Sequence, residues 1–343
     1  MARIVTTSFS LDVLNPLVRG TDLEREQARD ALQEILNGEI DGVLIASFLT
    51  ALTAKGETAD EMTGFIDAMI ASADTFHIGP DAIDIVGTGG DQLHTVNIST
   101  MASLAVAGCG VKVAKHGNRA ASSSVGSADL LEALGVRLDA PAEVVEACVE
   151  GAGIGFLFAP TFHHALAYLT PIRRALGFRT IFNVLGPLAN PALVERSLIG
   201  VSQHQQLDAM AHVLQTRGIK YAILVNSDDG LDELSLGAPS TLHTVTPDEV
   251  TVRRVEAATE LRRHHPAAAL RGGDTRENVD VLHRFLKGTP GAVFDVACAN
   301  AALALIVAGR TTSLEEGFDL ASASVREGRA GAALNKLISI SNS

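Results

Sequence analysis

The sequence predicts an α/β protein with a small all-helical domain and a large domain built on a mostly parallel central sheet. Helical patterns alone fill the first ~75 residues, and short β-branched runs alternate with helical stretches from Asp81 onward. A second helical stretch, at 161–177, interrupts this alternation. We therefore expect residues 1–77 and a returning segment at 161–190 to form the helical domain. Residues 78–160 and 191–343 then form the large α/β domain.

The helical domain is predicted from apolar spacing and from two capping boxes. Residues 21–24 and 58–61 both have Thr three positions before Glu, a spacing typical of helix starts. The first box precedes an apolar stripe that Gly38 ends, and the second precedes a stripe at 62–69. A further stripe at 43–52 predicts a helix between them.

The large domain is predicted from strands that each lead into a helix. The strands are expected at 83–86, 111–114, 154–158 and 221–225. The helices are expected near 124–135, 142–151, 203–217, 274–287 and 297–309, with residues 339–343 as a frayed tail. Repeated strand–helix units predict a largely parallel sheet.

Composition and charge exclude several classes of protein. A hydrophobic fraction of 47% and a charged fraction of 20% are typical of globular domains, and a net charge of −13 argues against a nucleic-acid partner. The three cysteines form no C-x-x-C pair, and a sparse odd set is typical of reduced thiols in the cytoplasm. No uninterrupted apolar run reaches about 18 residues, so we expect neither a membrane span nor a signal peptide. The prediction is a cytoplasmic protein.

A glycine-rich loop after the first predicted strand has the features of a phosphate site. It reads GTGGD at 87–91 and leads through Asn97, Ser99 and Thr100 into the next helix. Glycines let the backbone approach a ligand closely, and N–H groups at a helix start favour an anion. The loop is neither a G-x-G-x-x-G dinucleotide pattern nor a Walker A loop. The alternative interpretation is a strand-to-helix turn with ordinary capping.

A second polar loop follows the next predicted strand. It reads KHGNR at 115–119, and the small residues SSSVGS follow at 122–127. Two cations, an amide and several hydroxyls suit a second phosphate group, whereas the alternative is a solvated basic turn. Two such loops after neighbouring strands predict a substrate with two phosphate groups.

An acidic pair, Asp232 and Glu233, lies downstream of the strand at 221–225. Hard carboxylate oxygens suit Mg²⁺, which takes one or two carboxylates together with substrate phosphates and water. In isolation such a pair is typical of a solvated turn. The two phosphate loops are what favour the metal.

His163, His164, Arg173 and Arg174 are predicted to lie on one helix. His163 and Arg174 are separated by about three helical turns, so they share a face. A planar guanidinium can bind an aromatic carboxylate through two hydrogen bonds. A zinc site is not expected because no cysteine or acidic residue stands beside the histidines. The alternative is that these basic side chains lie next to one another on a helix surface.

In order and spacing, these segments resemble the anthranilate phosphoribosyltransferases. The matching motifs are GTGGD at 87–91, NIST at 97–100, KHGNR at 115–119, GSAD at 126–129, RTIFN at 179–183 with GPL at 186–188, and GLDE at 230–233. The similarity continues to NAA at 300–302. It implies a fold of the nucleoside phosphorylase and phosphoribosyltransferase type, Mg²⁺ as cofactor, and a homodimer formed through the helical domain.

The resemblance also implies roles for individual residues. The positions that match the phosphoribosyl pyrophosphate site are Gly87, Gly90, Asp91, Thr95, Asn97, Ile98, Ser99, Thr100, Lys115, His116, Gly117, Asn118, Arg119, Ala120, Ala121, Ser122, Ser123 and Ser127. Those that match the anthranilate site are Gly87, Asn118 and Arg173, with His116, His163 and Pro187 in the aromatic pocket. Ser99, Asp232 and Glu233 match magnesium ligands, and Lys115 joins the two acids as catalytic residues. The chain has Val96 and His164 where the family often has Phe and Pro.

The implied reaction, a step of tryptophan biosynthesis, displaces pyrophosphate from ribose C1 with the amine of anthranilate. An aryl amine is uncharged at neutral pH, so no strong base is required, and catalysis rests on stabilising the leaving group and positioning both substrates. One rival function is that of a pyrimidine nucleoside phosphorylase, whose phosphate loop reads around KHSTGG. The other is a non-catalytic nucleic-acid-binding relative, which would need a basic surface.

Overall fold

The computed structural model of the protein describes residues 8–90, 93–120 and 124–343. In these ranges the helices are α1 (Asn15–Val18), α2 (Arg25–Leu36), α3 (Gly42–Lys55), α4 (Ala59–Ala71), α5 (Ile98–Gly108), α6 (Ser127–Ala133), α7 (Ala142–Ala152), α8 (Ala159–Phe162), α9 (Leu169–Leu176), α10 (Phe182–Leu185), α11 (Leu207–Thr216), α12 (Ala257–Glu260), α13 (Thr275–Leu286), α14 (Ala292–Val307), α15 (Leu314–Arg326) and α16 (Arg329–Ser341). A π-helical segment, Phe9–Leu14, precedes α1, and 3₁₀ turns occupy His164–Leu166, Gly186–Leu188, His204–Gln206 and Ala267–Leu270.

A seven-stranded sheet forms the centre of the large domain. Its strands are β1 (Ile83–Gly87), β2 (Val113–Gly117), β3 (Ile154–Phe158), β4 (Arg196–Gly200), β5 (Tyr221–Ser227), β6 (Ser240–Val245) and β7 (Val250–Val255), in the order β3-β2-β1-β4-β5-β6-β7. Strands β1 to β5 are parallel, and β6 and β7 add an antiparallel edge. The predicted mostly parallel α/β sheet is therefore confirmed. The strand order reverses between β1 and β4, and ligands of such sheets bind at the carboxyl ends beside that point.

The strands found from sequence are largely buried, as are β4 and β6. The predictions at 83–86, 154–158 and 221–225 fall within β1, β3 and β5, whereas the one at 111–114 begins two residues before β2. Strands β4, β6 and β7 were not predicted. The edge strand β7 exposes most of its side chains, and two of them are arginines. It therefore lacks the apolar run that identifies a buried strand.

Of the two predicted capping boxes at the N-terminus, one is correct and one is wrong. The Thr58 side chain accepts from the Glu61 N–H at the start of α4, and Glu61 accepts from the Thr58 N–H in return. Helix α2 instead begins after Glu24, which forms its box with Gln27. The prediction at Thr21 failed because the Glu24 carboxylate can itself cap a helix, which moves the start three residues along the chain.

The segment 161–190 packs against the N-terminal helices. Its apolar side chains join the buried cluster of α2, α3 and α4; they are Leu169, Ile181, Phe182, Val184, Leu185 and Leu188. The Tyr168 hydroxyl donates to the Ile35 carbonyl of α2. The predicted continuous helix over 161–177 is wrong, because α8 ends at Phe162 and α9 begins only at Leu169. The domain boundaries at 77 and 190 stay a prediction.

The C-terminal helices cover one face of the sheet. Helix α14 is buried on nearly all sides, which explains why it reads as an uninterrupted apolar stretch, and it begins five residues before the predicted start at 297. The predicted frayed tail is wrong, because α16 continues to the buried Ser341 and the Asn342 side chain donates to the Gly135 carbonyl. Within the described ranges, no helix is long and apolar enough to cross a membrane.

Candidate active site

The glycine-rich loop begins where β1 ends and needs glycine for two reasons. Gly89 and Gly90 have φ values of 61° and 77°, in the left-handed region that side chains disfavour. A Cβ atom on Gly90 would also displace the Arg179 guanidinium, which donates to the Gly89 carbonyl. The loop is tied to β4, since the Thr88 N–H donates to the Gly200 carbonyl at 2.8 Å. Asp91, predicted to bind phosphoribosyl pyrophosphate, lies outside the described residues.

The glycine-rich loop is in direct contact with Asp232, the first residue of the acidic pair. The Gly89 N–H donates to Asp232 Oδ2 at 2.9 Å, and a Cβ on Gly87 would lie only 2.6 Å from the same oxygen. The Asp232 side chain is buried, 7% exposed, so the contact is shielded from water. The structure therefore places Asp232, one of the predicted metal ligands, against the first predicted phosphate loop.

Lys115 on β2 is a buried cation beneath this site. Its Nζ donates to the Ile85 carbonyl at 2.5 Å and to Ser99 Oγ at 3.2 Å. Burial lowers the pKa of Lys115 to about 8, while the negative charges of Asp84 and Glu233 oppose that shift. Burial raises the pKa of Asp84 to about 6. The amino group thus lies near the helix that starts at 98 and near the acidic pair.

The start of α5 is tied into the fold by its own residues. Ile98 is fully buried in the core, and its N–H donates to the Val96 carbonyl at 2.7 Å. The Asn97 side chain donates to the Val125 carbonyl, and Thr95 forms an isolated β-bridge with Arg271. The Thr100 hydroxyl is buried and has no hydrogen-bond partner among the described residues.

The second polar loop is packed closely onto the start of α6. A Cβ on Gly117 would lie 2.5 Å from Ser127 Oγ. Arg119 is already engaged, with Nη1 at 3.0 Å from Asp129 and 2.7 Å from Glu132. The Ala120 N–H also donates to Asp129. Three residues of the predicted phosphate loop, Ala121, Ser122 and Ser123, lie outside the described residues.

The His116 and His163 rings pack against each other beside the phosphate loops, tilted by 46°. Their ring centres are 5.5 Å apart, and both side chains are buried. His116 Nδ1 lies 3.2 Å from the Gly186 carbonyl, so that nitrogen carries the proton and donates. Burial lowers the pKa of His116 to about 3, which keeps the ring neutral. Pro187 is buried in the adjoining turn, so the three predicted aromatic-pocket residues occupy one region.

Arg173 is a partly buried cation on α9. Its Cζ lies 5.3 Å from the centre of the Phe182 ring, and burial lowers its pKa, with no acidic group in the described ranges opposing the shift. The neighbouring Arg174 is exposed. The prediction that both arginines share one helix with His163 and His164 is wrong, because the chain breaks after Phe162. His164 lies in the following 3₁₀ turn, exposed, with Nε2 at 3.1 Å from Asp74.

Sequence reasoning overlooked Asp84, which organises the floor of the site. Its carboxylate accepts from the His116 N–H at 3.1 Å and from the Asn190 side chain at 2.8 Å. The signal was an acidic residue inside an otherwise apolar buried strand, since such a charge needs partners. Arg179 entered only as part of a motif, although its Nη1 donates to the Gly89 carbonyl at 2.9 Å.

Comparison with known proteins gives consistent matches over nearly the whole chain. The family described as "Glycosyl transferase family, a/b domain" matches residues 79–331, and its helical bundle domain matches 11–73. Anthranilate phosphoribosyltransferases of Thermomicrobium roseum and Rhodopseudomonas palustris (strain TIE-1) are 46% and 44% identical, over 96% of this chain and 96% and 97% of theirs.

Solved structures agree with these matches. The anthranilate phosphoribosyltransferase of Thermus thermophilus is 38% identical with a TM-score of 0.90, covering 97% of this chain and 100% of that one. The Saccharomyces cerevisiae enzyme, solved in complex with PRPP and Mg, is 26% identical with a TM-score of 0.87, covering 98% of each chain.

Proposed function

This chain belongs to the anthranilate phosphoribosyltransferase family, and from that premise we infer how its site carries out the reaction. The protein is a pentosyltransferase that moves the phosphoribosyl group of phosphoribosyl pyrophosphate to the amine of anthranilate, giving N-(5-phosphoribosyl)anthranilate and pyrophosphate in tryptophan biosynthesis. The observation that carries the assignment of roles is the hydrogen bond from the Gly89 N–H to Asp232 at 2.9 Å. It joins a loop suited to phosphate to a carboxylate suited to a metal.

We propose that phosphoribosyl pyrophosphate lies across the carboxyl ends of β1 and β2. The glycines of the first loop let phosphate approach the backbone closely, and Lys115 supplies the buried positive charge. At the start of α5, the buried Thr100 hydroxyl has no hydrogen-bond partner among the described residues, so it can donate to phosphate. Ile98 stays a prediction, because its side chain is in the core and its N–H donates to the Val96 carbonyl. The ion pairs of Arg119 with Asp129 and Glu132 favour a role in shaping the second loop over direct phosphate contact.

We propose Mg²⁺ as the cofactor, held by Asp232, Glu233 and Ser99 together with substrate oxygens. The donor set fits this ion because it consists only of carboxylate and hydroxyl oxygens. Among the described residues, no group of three or more His, Cys, Asp or Glu side chains could hold a metal by itself. Mg²⁺ commonly binds with few protein ligands and takes the rest from phosphates and water, so two carboxylates and one hydroxyl suffice. When bound, the ion would neutralise charge on the departing pyrophosphate.

The anthranilate site is assigned to Arg173 and to the pocket around His116, His163 and Pro187, with Asn118 and Gly87 at its phosphate side. Because no carboxylate of the described ranges shifts the pKa of Arg173, its charge is available for the substrate carboxylate. The neutral His116 ring can pack against the aromatic substrate without adding charge to the pocket. His116 Nε2 is buried without a hydrogen-bond partner in the described part of the chain, so it can accept from the substrate amine.

The chemistry needs charge stabilisation and alignment rather than a strong base. Negative charge grows on pyrophosphate as its bond to ribose C1 breaks, and the amine lone pair forms the new bond. The nitrogen then releases one proton to the departing pyrophosphate or to water. A Lys115 ammonium fixed by Ile85 and Ser99 is already oriented for that charge, so little reorganisation is required. Positioning the two substrates supplies the remainder of the rate enhancement.

We propose a homodimer formed through the helical domain. Helices α1, α3 and α9 line an apolar groove of about 860 Å³. Its wall includes Val18 and Val43, which are 74% and 73% exposed in a single chain. A contiguous exposed apolar surface of this kind is typical of a protein interface. The cytoplasmic location predicted from the cysteines stays a prediction.

The proposed reaction is tested by mixing the protein with anthranilate, phosphoribosyl pyrophosphate and Mg²⁺ and following the loss of anthranilate fluorescence. We expect the loss to require all four components. Thymidine with inorganic phosphate should release no free base, and release without any anthranilate turnover would favour a nucleoside phosphorylase. A salt-dependent DNA shift would favour the nucleic-acid-binding alternative.

A further inference from the structure

Helix α14 forms hydrogen bonds to the loop that carries Asp232 and Glu233. Asn300 on this helix is buried, 3% exposed, and its Oδ1 accepts from the Leu234 N–H at 2.9 Å. Its Nδ2 donates to the Leu234 carbonyl at 3.1 Å. One side chain therefore binds both backbone groups of the residue that follows Glu233.

The remaining contact of Asn300 fixes the amide itself. Nδ2 also donates to the Val296 carbonyl of its own helix at 2.9 Å. Leu234 is fully buried, so water cannot replace either of its hydrogen bonds to Asn300. On the opposite side of the loop, the Ser227 hydroxyl donates to the Glu233 carbonyl at 2.6 Å. The backbone of the acidic pair is thus fixed between β5 and α14.

A second contact ties the same loop to the same helix. The His265 N–H donates to the Leu236 carbonyl at 2.9 Å, and His265 Nε2 lies 2.8 Å from Asp295 at the start of α14. The loop is therefore supported at Leu234 directly and at Leu236 through His265. Because α14 is buried among the other helices, it is a fixed attachment point for the backbone that carries the two carboxylates.

We propose that Asn300 is a positioning residue for the metal site, which orients Asp232 and Glu233 by clamping Leu234. The inference rests on the proposed Mg²⁺ role of the acidic pair. Outer contacts that orient metal ligands typically change metal affinity by about 10- to 100-fold when removed. Asn300 touches neither substrate nor metal under this proposal, so its loss should alter metal affinity before it alters the chemical step.

The test measures Mn²⁺, a spectroscopically visible substitute for Mg²⁺, by the electron paramagnetic resonance signal of the free ion in the presence of phosphoribosyl pyrophosphate. Asn300→Ala should raise the Kd for Mn²⁺ by about 10- to 100-fold. Saturating Mg²⁺ should restore most of its kcat. An unchanged Mn²⁺ Kd in folded Asn300→Ala, or a kcat that Mg²⁺ does not restore, overturns the proposal.

Ser324→Ala is the matched control for a merely structural effect. Its buried hydroxyl donates to the Ala105 carbonyl at 2.7 Å and joins α15 to α5 away from the acidic loop. This variant should lower the melting temperature without changing the Mn²⁺ Kd. An equal loss of Mn²⁺ binding in Ser324→Ala would attribute the effect to destabilisation and refute the positioning role.

Asn300→Asp keeps the test valid if the alanine variant does not fold. Asp has the same shape and retains an acceptor for the Leu234 N–H, but only its protonated form can donate to the Leu234 carbonyl. The ratio of its Mn²⁺ Kd to the Mn²⁺ Kd of the unsubstituted protein, measured at the same pH, should rise as pH rises. A ratio of one at every pH contradicts the proposal. If the unsubstituted protein neither binds Mn²⁺ nor consumes anthranilate, the proposed function fails instead.

Discussion

Replacing Arg173 with Ala tests whether one residue recognises the substrate carboxylate. The Arg173 guanidinium is partly buried against Phe182, at 5.3 Å from the ring centre, and no acidic group of the described residues shifts its pKa. A cation that is removed from water without an acidic partner has the most to gain from an anionic ligand. The alanine variant removes that ligand contact and leaves the phosphate loops unchanged.

The expected size of the effect follows from the kind of contact. A hydrogen bond to a charged group contributes about 1.5–3 kcal/mol, which corresponds to roughly 10- to 100-fold in affinity. We expect Arg173→Ala to raise the KM for anthranilate by this factor and to change the KM for phosphoribosyl pyrophosphate by less than about twofold. The anthranilate KM of Arg173→Lys should lie between that of the unsubstituted protein and that of Arg173→Ala, because lysine keeps the charge and lacks the planar guanidinium.

Arg174→Ala is the matched control, since it removes the same side chain from the next, exposed position. Steady-state kinetics, with each substrate varied in turn and anthranilate fluorescence as the signal, give both KM values. The reasoning is refuted if Arg173→Ala alters only the phosphoribosyl pyrophosphate KM. It is also refuted if Arg174→Ala raises the anthranilate KM equally.

Four further predictions concern the metal, the buried lysine and the interface. Replacing Asp232 and Glu233 together by Ala should abolish turnover with an unchanged far-UV circular dichroism spectrum, and full activity would contradict the metal assignment. Because the Lys115 pKa is about 8 and its charged form is required, kcat/KM for phosphoribosyl pyrophosphate should fall as pH rises through that value, a decline absent from Lys115→Met. Folded Lys115 binds fewer protons than unfolded Lys115 between about 8 and 10.5, so its contribution to the free energy of unfolding should increase with pH in that window, measured by denaturant titration. Light scattering should give about twice 35.9 kDa, and Val43→Asp should shift the mass toward one chain; a fully active unsubstituted monomer would contradict the dimer.

The fold was predictable wherever local patterns and tertiary packing agree. The apolar run that predicts the strand at 83–86 lies in the buried strand β1, and the Thr–Glu spacing at 58–61 caps α4, whose side chains are mostly buried. Strand β7 escaped prediction because its position at the sheet edge leaves its side chains exposed. The break after Phe162 also escaped it, because helical spacing at 161–177 does not reveal where the chain turns toward the N-terminal helices.

The site was predictable as a set of motifs but not as a network. Lys115 and Asp232 stand out by type and position, and the structure places both beside the glycine-rich loop. The supports Asp84 and Asn300 lie inside apolar stretches, where nothing in the sequence shows which backbone groups they meet. Such contacts join residues far apart in the chain, so they follow from the tertiary structure alone.

Transfer of the phosphoribosyl group to anthranilate is tested by measuring pyrophosphate and phosphoribosyl anthranilate in the same reaction. With Mg²⁺ present, we expect the two products to appear in equal amounts, and both to disappear when Asp232 and Glu233 are replaced by Ala. Pyrophosphate release that does not depend on anthranilate would show hydrolysis rather than transfer. Formation of neither product at saturating substrates would show that the protein does not catalyse this reaction.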